Sequence, residues 1–242
     1  LCREIDHHNR LYHVLAKPEI SDAQFDALLR RLEELERLHP ELVTPDSPTQ
    51  KIGGRAIEGF EKASHAIPLL SLEKAYTPEE LRGWFDQMER ELGRKLETRF
   101  TVEPKIDGDS LELVYEDGTL ARASTRGDGK VGEDVTHTVR TIRSVPRKLR
   151  GEAPALLEVR GEAYVLIEDF RKLNRDLMAQ GRESFANPRN FTSGSIKQLD
   201  PRITASRPIR FMAHGLGRVR GRKYGTHSES MEKFGNGVMR AV

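Results

Sequence analysis

The sequence has little of what disulfide-rich, cysteine-ligated zinc and membrane proteins need. Cys2 is the one cysteine among 242 residues, which excludes a disulfide framework and a cysteine-based zinc site within this chain. No apolar run approaches the ~20 residues of a membrane span, and no signal peptide is visible. The net charge is only +2, so a nucleic-acid-binding face requires segregated charge. We expect a cytoplasmic protein, a monomer without membrane partners.

Length and charge are what the chain does contain. The chain has 242 residues, of which 32% are charged. This length is enough for a small domain and a larger one with its own core. The sequence starts at Leu1 within a helical pattern and stops at Val242 without a closing element. We therefore expect a C-terminally truncated piece of a longer protein.

The N-terminal ~40 residues have the apolar spacing of helices. A first helix is predicted to end near Lys17-Pro18, because a residue before proline disfavours helical geometry. Ser21 and Gln24 then form a capping box that starts a second helix. Turn formers dominate residues 44–54, so residues 1–54 are predicted to be a helical module with its linker.

Residues 55–242 mix both periodicities and are predicted to form a second domain. Thr77-Pro78-Glu79-Glu80 is a helix start, and Gly93 is the matching stop. The other predicted elements are strands at 100–104, 110–116, 119–125, 156–165 and 209–215, a hairpin turn at Asp117-Gly118, a helix at 167–178 and a polar loop with some helix at 182–202. This irregular alternation predicts an α+β fold with a mainly antiparallel sheet.

Lys105-Ile106-Asp107-Gly108 is the first segment that indicates chemistry. A lysine at a strand end can attack a phosphate if its amine is neutral. The neighbouring carboxylates of Glu103, Asp107 and Asp109 favour the charged amine, and a bound Mg²⁺ would draw them to itself. Glu103 alternates with Lys105, so both are predicted to lie on one face of the strand.

Two further segments supply groups that suit a nucleotide. In Arg126-Gly127-Asp128-Gly129, the glycines would let backbone amides approach a phosphate, and Arg126 would add a charged contact. Glu162 follows Arg160-Gly161 near a strand end, where a carboxylate can bond a ribose hydroxyl or hold a metal.

Together these segments resemble the adenylation domain of the NAD-dependent DNA ligases of bacteria, over essentially the whole chain. The resemblance also rests on the segments Gly132-Glu133-Asp134, Thr141-Ile142-Arg143-Ser144-Val145-Pro146, Phe185-Ala186-Asn187-Pro188-Arg189-Asn190 and Gln198-Leu199-Asp200-Pro201-Arg202. The family's domain has a nucleotidyltransferase fold of the ATP-grasp-like ligase type. A helical module with Tyr12-His13 separates this family from ATP-dependent relatives.

The resemblance implies a nick-sealing enzyme, a ligase that forms phosphodiester bonds in DNA replication and in the repair of DNA damage. Lys105 would take AMP from NAD, pass it to the 5′-phosphate of nicked duplex DNA, and release first nicotinamide mononucleotide (NMN) and then AMP. The implied NAD-binding residues are Tyr12, His13, Asp22, Phe25, Asp26, Ser71, Leu72, Glu103, Arg126 and Glu162. Arg189 and Lys197 would contact DNA phosphates, in a polar cluster with Asn187, Asn190 and Gln198. Mg²⁺, or Mn²⁺, is implied near Glu162, and zinc only in segments beyond this chain.

Three departures from the family pattern stand beside these residues. Phe25 replaces a tyrosine and loses its hydroxyl, Asp109-Ser110 replaces an apolar-small pair, and Phe191-Thr192-Ser193 replaces a run of alanines. Two other functions stay open: a non-catalytic module that binds NAD or nucleic acid, and a nucleotidyltransferase that uses a nucleoside triphosphate.

Overall fold

The computed structural model describes residues 1–13, 19–44, 47–49, 60–72, 74–97, 100 and 102–233, without the side chains of residues 10, 12, 13, 22, 23 and 231–233. The helices are α1 (Cys2–His13), α2 (Asp22–Leu38), α3 (Pro78–Leu92), α4 (Thr136–Val139), α5 (Ile167–Ala179), α6 (Pro188–Ile196), α7 (Pro201–Ala205) and α8 (His227–Lys233), with a 3₁₀ turn at Pro40–Leu42. The strands are β1 (Lys62–Ser64), β2 (Asp109–Glu116), β3 (Thr119–Thr125), β4 (Val131–Glu133), β5 (Leu156–Tyr164) and β6 (Arg210–Arg220).

The chain forms two compact units. One contains residues 1–69 together with 106–242, and the other contains residues 70–105. Within the described ranges, no helix combines the length and the apolar character that crossing a membrane requires. Helices and a mainly antiparallel sheet confirm the predicted α+β class.

Two helices open the first unit, and α2 begins at the predicted cap. The Gln24 amide donates to Ser21 Oγ at 3.3 Å, and the Ser21 amide donates to Gln24 Oε1 at 2.9 Å, so the capping box is confirmed. Ile5 of α1 and Leu32 of α2 are buried. The predicted end of the first helix near Lys17-Pro18 lies outside the described residues.

The main sheet has the strand order β3-β2-β5-β6, and each neighbouring pair is antiparallel. Asp117 (φ 46°) and Gly118 (φ 77°) join β2 to β3, and these two left-handed residues confirm the predicted hairpin. Strand β6 extends to Arg220, five residues beyond its predicted end at Gly215. Its pairing with β5 shifts register twice, which weakens the alternation from which a strand end is predicted.

A second, two-stranded sheet pairs β1 with β4. Ala63 lies opposite Gly132, with Lys62 opposite Glu133 and Ser64 opposite Val131. No sequence pattern predicts this sheet, because three-residue strands are too short to show a period. It holds the segment around residue 65 against the chain that leaves β3.

The hydrophobic core combines residues of the main sheet with residues of the helices and connections around it. Its fully buried members include Leu111, Leu113, Leu157, Val159 and Phe191. Phe191 of α6 contacts the rings of Phe170 and Phe185, with centroids 6.0 and 4.9 Å away. Each buried side chain of this size stabilises the fold by about 1.5–3 kcal/mol, so α6 is fixed firmly against the sheet.

Residues 70–105 contain one helix, α3, with the predicted start and stop. The Glu80 amide donates to Thr77 Oγ1 at 3.1 Å, and Gly93 ends the helix in a left-handed conformation with φ 64°. The predicted strand at 100–104 is wrong for its described residues, since Phe100 and 102–104 form no strand. Pro104 has no amide hydrogen to donate to a strand ladder.

Candidate active site

Lys105 lies in an extended connection that leads into the first strand of the main sheet. Residues 102–107 form neither helix nor strand, and the side chains of Lys105 and Glu103 are exposed. Both residues belong to the 70–105 unit. Asp109, four residues after Lys105, is the first residue of β2. Along the chain, the lysine therefore shortly precedes the end of β2 at which Ser110 lies opposite Glu162.

Glu162 is held by the glycine of the lysine motif and by the serine two residues later. On β5 it lies opposite Ser110 of β2. Ser110 Oγ donates to Glu162 Oε2 at 2.7 Å, and the Gly108 amide donates to Glu162 Oε1 at 3.2 Å. The Gly108 amide and the Ser110 hydroxyl thus orient both oxygens.

Gly108 is needed because the main chains approach each other very closely here. A Cβ at position 108 would lie 1.9 Å from the carbonyl oxygen of Ala163 and 3.2 Å from Glu162 Cγ. Any side chain at position 108 would therefore push β2 away from β5, and Glu162 would lose its amide partner.

The turn at residues 126–130 uses main-chain amides for its own hydrogen bonds, including two to the Asp128 side chain. Asp128 Oδ1 accepts from the amides of Lys130 and Val131, at 2.8 and 2.7 Å. The amides of Asp128 and Gly129 donate to the carbonyls of Val131 and Arg126. These four amides are already bonded within the turn, so the expectation that its backbone binds a phosphate is wrong for them. The same backbone bonds hold the pKa of Asp128 below its usual range.

Asp109 and Ser110, two residues that depart from the family pattern, have well-defined partners in the fold. Asp109 bonds the hydroxyl of Ser193, another departure from the pattern, while Ser110 bonds Glu162. Burial raises the pKa of Asp109, and the charge of Lys197, the Ser193 bond and the charge of Arg189 oppose that shift. The exchanged positions on β2 and α6 therefore compensate one another.

Lys197 is bonded to an acidic partner in the fold. Its Nζ is 2.7 Å from Glu133 Oε2, and the side chains of Lys197 and Glu133 are only 17% and 3% exposed. Arg189 is more accessible, with 35% of its side chain exposed, and its Nη1 lies 3.4 Å from Asp107 Oδ1. The two cations predicted to contact DNA thus differ in exposure and in the burial of their acidic partners.

The segment around these cations contains α6 and the start of α7, in agreement with the predicted polar loop with some helix. Asn187 caps α6 by accepting from the Asn190 amide at 2.7 Å, and Asn190 is buried. The Gln198 side chain donates to the carbonyl of Gly194 at 2.5 Å. Asn187 and Gln198 therefore serve the helix through these bonds, and the predicted phosphate cluster reduces to Arg189 and Lys197.

The predicted NMN-binding residues lie at the facing ends of α1 and α2 along the chain. Tyr12 and His13 are the last two residues of α1, and Asp22 is the first residue of α2. Phe25 and Asp26 follow within the first two turns of α2 and are half-buried. Ser71 and Leu72 belong to the other unit, where both are exposed in a segment without regular structure.

Among the residues that the structure describes, one group of potential metal ligands lies on α1 and in the segment just before α2. Ligand atoms of His7, His8 and Glu19 lie within 4.8 Å of one another. His7 Nε2 is 3.6 Å from Glu19 Oε2, and about 60% of each of these two side chains is exposed, at 59% and 63%. This geometry is that of a surface ion pair.

Two buried carboxylates were not predicted as functional or structural residues. Glu112 and Glu158 are fully buried. Glu158 bonds Nη2 and Nε of Arg218 at 2.7 and 2.8 Å, while Glu112 contacts His65. Both alternate with apolar residues on their strands, the pattern of a solvent-facing position, so sequence alone places them outside.

Comparison with known proteins gives matches along most of the chain. Residues 1–53 match a family described as the DNA ligase-like N-terminal NAD⁺-binding domain, and residues 57–240 match the NAD-dependent DNA ligase adenylation domain. Similar proteins, all named DNA ligase, come from Rubrobacter xylanophilus (51% identical), Roseiflexus castenholzii (48%) and Geobacter sulfurreducens (47%). The matches cover 96%, 96% and 97% of this chain but only 34%, 34% and 36% of those proteins. The chain thus spans about a third of the length of these relatives.

Proposed function

Because this chain belongs to the NAD-dependent DNA ligase family, we propose that it carries out the adenylation chemistry of nick sealing. Lys105 Nζ attacks the α-phosphorus of NAD and forms a phosphorus–nitrogen bond. The bond from that phosphorus to the bridging oxygen breaks, NMN leaves with the electron pair, and the lysine releases a proton. The product is a lysyl-AMP intermediate.

The observation that supports this role best is the fixed carboxylate beside the lysine motif. Glu162 is oriented by the Gly108 amide and the Ser110 hydroxyl, three and five residues after Lys105. A carboxylate held in this way suits a ribose hydroxyl of the AMP half. We propose that Glu103 and Arg126 also contact that half.

The remaining NAD contacts are proposed for two other segments. Ser71 and Leu72 would bind NAD from the segment between β1 and α3. The NMN half would be held by the N-terminal residues Tyr12, His13, Asp22, Phe25 and Asp26. This assignment fits a division of the chain into the NMN-binding module with its linker, residues 1–54, and a nucleotidyltransferase domain, residues 55–242.

Mg²⁺ fits the donor chemistry at Glu162. Carboxylate oxygens are the ligands that Mg²⁺ prefers, and the Gly108 amide and the Ser110 hydroxyl orient the two oxygens of Glu162. We propose Glu162 as the residue that would hold Mg²⁺, or Mn²⁺. When bound, the ion neutralises phosphate charge.

Later steps define the proposed substrate, which is nicked double-stranded DNA. AMP passes from Lys105 to the 5′-phosphate, and the adjacent 3′-hydroxyl then displaces AMP as the strand is sealed. Arg189 and Lys197 are proposed to contact DNA phosphates, which position a duplex without reading its sequence. The proposed setting is a cytoplasmic monomer that acts in DNA replication and repair.

Transfer of labelled adenylate tests this function directly. The protein is incubated with NAD or ATP labelled in the adenine, and we expect label that precipitates with the protein from NAD only, lost in Lys105→Ala and in Lys105→Arg because a guanidinium stays protonated. Lys95→Ala is the matched control, since Lys95 is an 85% exposed lysine of the same unit. Label from ATP would indicate a triphosphate-dependent enzyme. NAD binding without label would indicate a non-catalytic module, and label on either Lys105 variant would refute the assignment.

A further inference from the structure

A buried histidine joins the main sheet to the turn that carries Arg126. His65 follows β1, and its side chain is 0% exposed, as is that of Glu112 on β2. His65 Nδ1 lies 2.9 Å from Glu112 Oε2. On the other side of the ring, Nε2 lies 3.1 Å from the carbonyl oxygen of Thr125 and 3.2 Å from that of Arg126.

The partners decide which ring nitrogen must donate. A carbonyl oxygen only accepts, so Nε2 carries a hydrogen and donates to the Thr125 and Arg126 carbonyls. Nδ1 faces the Glu112 carboxyl group. Arg122 Nη2 and Arg160 Nη2 each lie 4.0 Å from that carboxyl group.

The same segment is bonded to the Arg126 turn at several points. The His65 amide donates to the Lys130 carbonyl, and the Leu69 amide donates to the Gly129 carbonyl, both at 2.8 Å. Arg160 Nη2 donates to the Ile67 carbonyl at 2.6 Å and ties the segment to β5. Residues 65–69 therefore hold the far side of the turn, while the His65 ring holds its first residue.

We propose that His65, held in place by Glu112, is a positioning residue that fixes the backbone of Arg126 for contact with the NAD phosphates. This inference rests on the proposed function, which supplies the role of Arg126. His65 itself touches no reacting group. Its ring restricts the orientation of the Arg126 carbonyl. The Arg126 side chain therefore extends from a fixed main-chain position.

Two substitutions test the two ring nitrogens of His65 separately. His65→Gln places an amide near the position of Nε2, so it keeps a donor for the two carbonyls and loses Glu112. His65→Asn places its amide near Nδ1, so it keeps Glu112 and loses both carbonyls. If positioning is the role, His65→Asn slows single-turnover adenylation from NAD at least about tenfold, because the buried Thr125 carbonyl loses the ring donor and the Arg126 carbonyl keeps the Gly129 amide but loses the ring. His65→Gln stays within about threefold of the unsubstituted protein.

A double substitution then shows whether the effect passes through Arg126. In an Arg126→Ala background, His65→Asn should cause no further loss of rate, because the group that it positions is gone. Equal rates for the Asn and Gln variants would overturn the proposal. A full tenfold loss for His65→Asn in the Arg126→Ala background would do the same.

Backbone amide exchange of residues 126–131 gives a second readout that needs no activity. We expect faster exchange in His65→Asn than in His65→Gln, and equal exchange would count against the proposal. If unsubstituted protein takes no label from NAD, the proposed function fails, while this measurement still tests the positioning role. If His65→Asn does not fold, Glu112→Gln replaces it, and unchanged exchange in that folded variant overturns the proposal.

Discussion

Lys197→Met separates a role in DNA binding from a role in holding the fold together. The Lys197 ammonium lies 2.7 Å from a Glu133 carboxylate whose side chain is 3% exposed. Thr125 Oγ1 is 3.4 Å from the same Glu133 oxygen. Methionine keeps the apolar stem of Lys197 and removes the positive charge that faces this buried carboxylate.

The expected cost follows from that burial. Removal of one partner from a buried ion pair destabilises a protein by about 3–5 kcal/mol, a large part of the roughly 5–15 kcal/mol of a typical domain. In a chain of this size each kcal/mol lowers the melting temperature by about 2–4 °C. Lys197→Met should therefore melt about 6–20 °C below the unsubstituted protein. The double variant Lys197→Met/Glu133→Gln should recover most of the lost stability, because a neutral amide replaces the buried carboxylate of Glu133.

Denaturant unfolding and salt-dependent binding to a nicked duplex measure the two roles side by side. Arg189→Met is the matched comparison, since Arg189 is more exposed and pairs with Asp107, whose side chain is 62% exposed. We expect it to leave stability within about 0.5 kcal/mol and to reduce the salt slope by about 0.9 for one lost phosphate contact. The reasoning is refuted if Lys197→Met unfolds at the same denaturant concentration as the unsubstituted protein and lowers the salt slope as Arg189→Met does.

Three further substitutions test other parts of the site. Ser110→Ala removes the donor 2.7 Å from Glu162, and since a hydrogen bond to a charged group contributes about 1.5–3 kcal/mol, adenylation should slow by about 10- to 150-fold; an unchanged single-turnover rate contradicts the role of Ser110. Asp109→Asn should stabilise the folded protein at neutral pH. Burial raises the pKa of Asp109 on folding, so folding takes up a proton and stability falls as pH rises from the ordinary to the raised value; Asn removes that slope, and an equal slope in unfolding curves across this pH window contradicts it. Asp22→Ala and Asp26→Ala should impair adenylation from NAD far more than AMP transfer from protein already adenylated, and equal losses in both assays would indicate a structural role for this module.

Local signals in the sequence were enough for several elements. The Ser21 cap, the Asp117-Gly118 hairpin and the Gly93 helix end each depend on a few neighbouring residues, and the structure has all three. The order of β2 and β3 followed from the hairpin. Family resemblance, rather than periodicity, supplied the roles of the site residues.

The contacts that the sequence could not indicate are the non-local ones. Glu112 looks solvent-facing on β2, yet Arg160 and His65 bury it from β5 and from the segment after β1. The β1–β4 pair joins residues about seventy positions apart. In the same way, Lys197 belongs to a polar stretch, and its partner Glu133 lies on another element. Such pairings form only in the folded chain, and no local pattern in a single sequence indicates them.

The glycine of the lysine motif has a consequence for how such motifs are recognised and altered. Gly108 carries no reactive group. A Cβ at this position would, however, lie 1.9 Å from the carbonyl oxygen of Ala163, and this excludes every other residue. Selection at this position acts on main-chain shape, whereas selection at Lys105 acts on reactivity. A lysine without the glycine three positions later would therefore lack the backbone path that orients Glu162. Mutant libraries of this segment should keep Gly108 constant and vary Ile106. A variant with a disrupted backbone at position 108 would lose activity just as a variant without Lys105 does, and an activity screen would not distinguish the two.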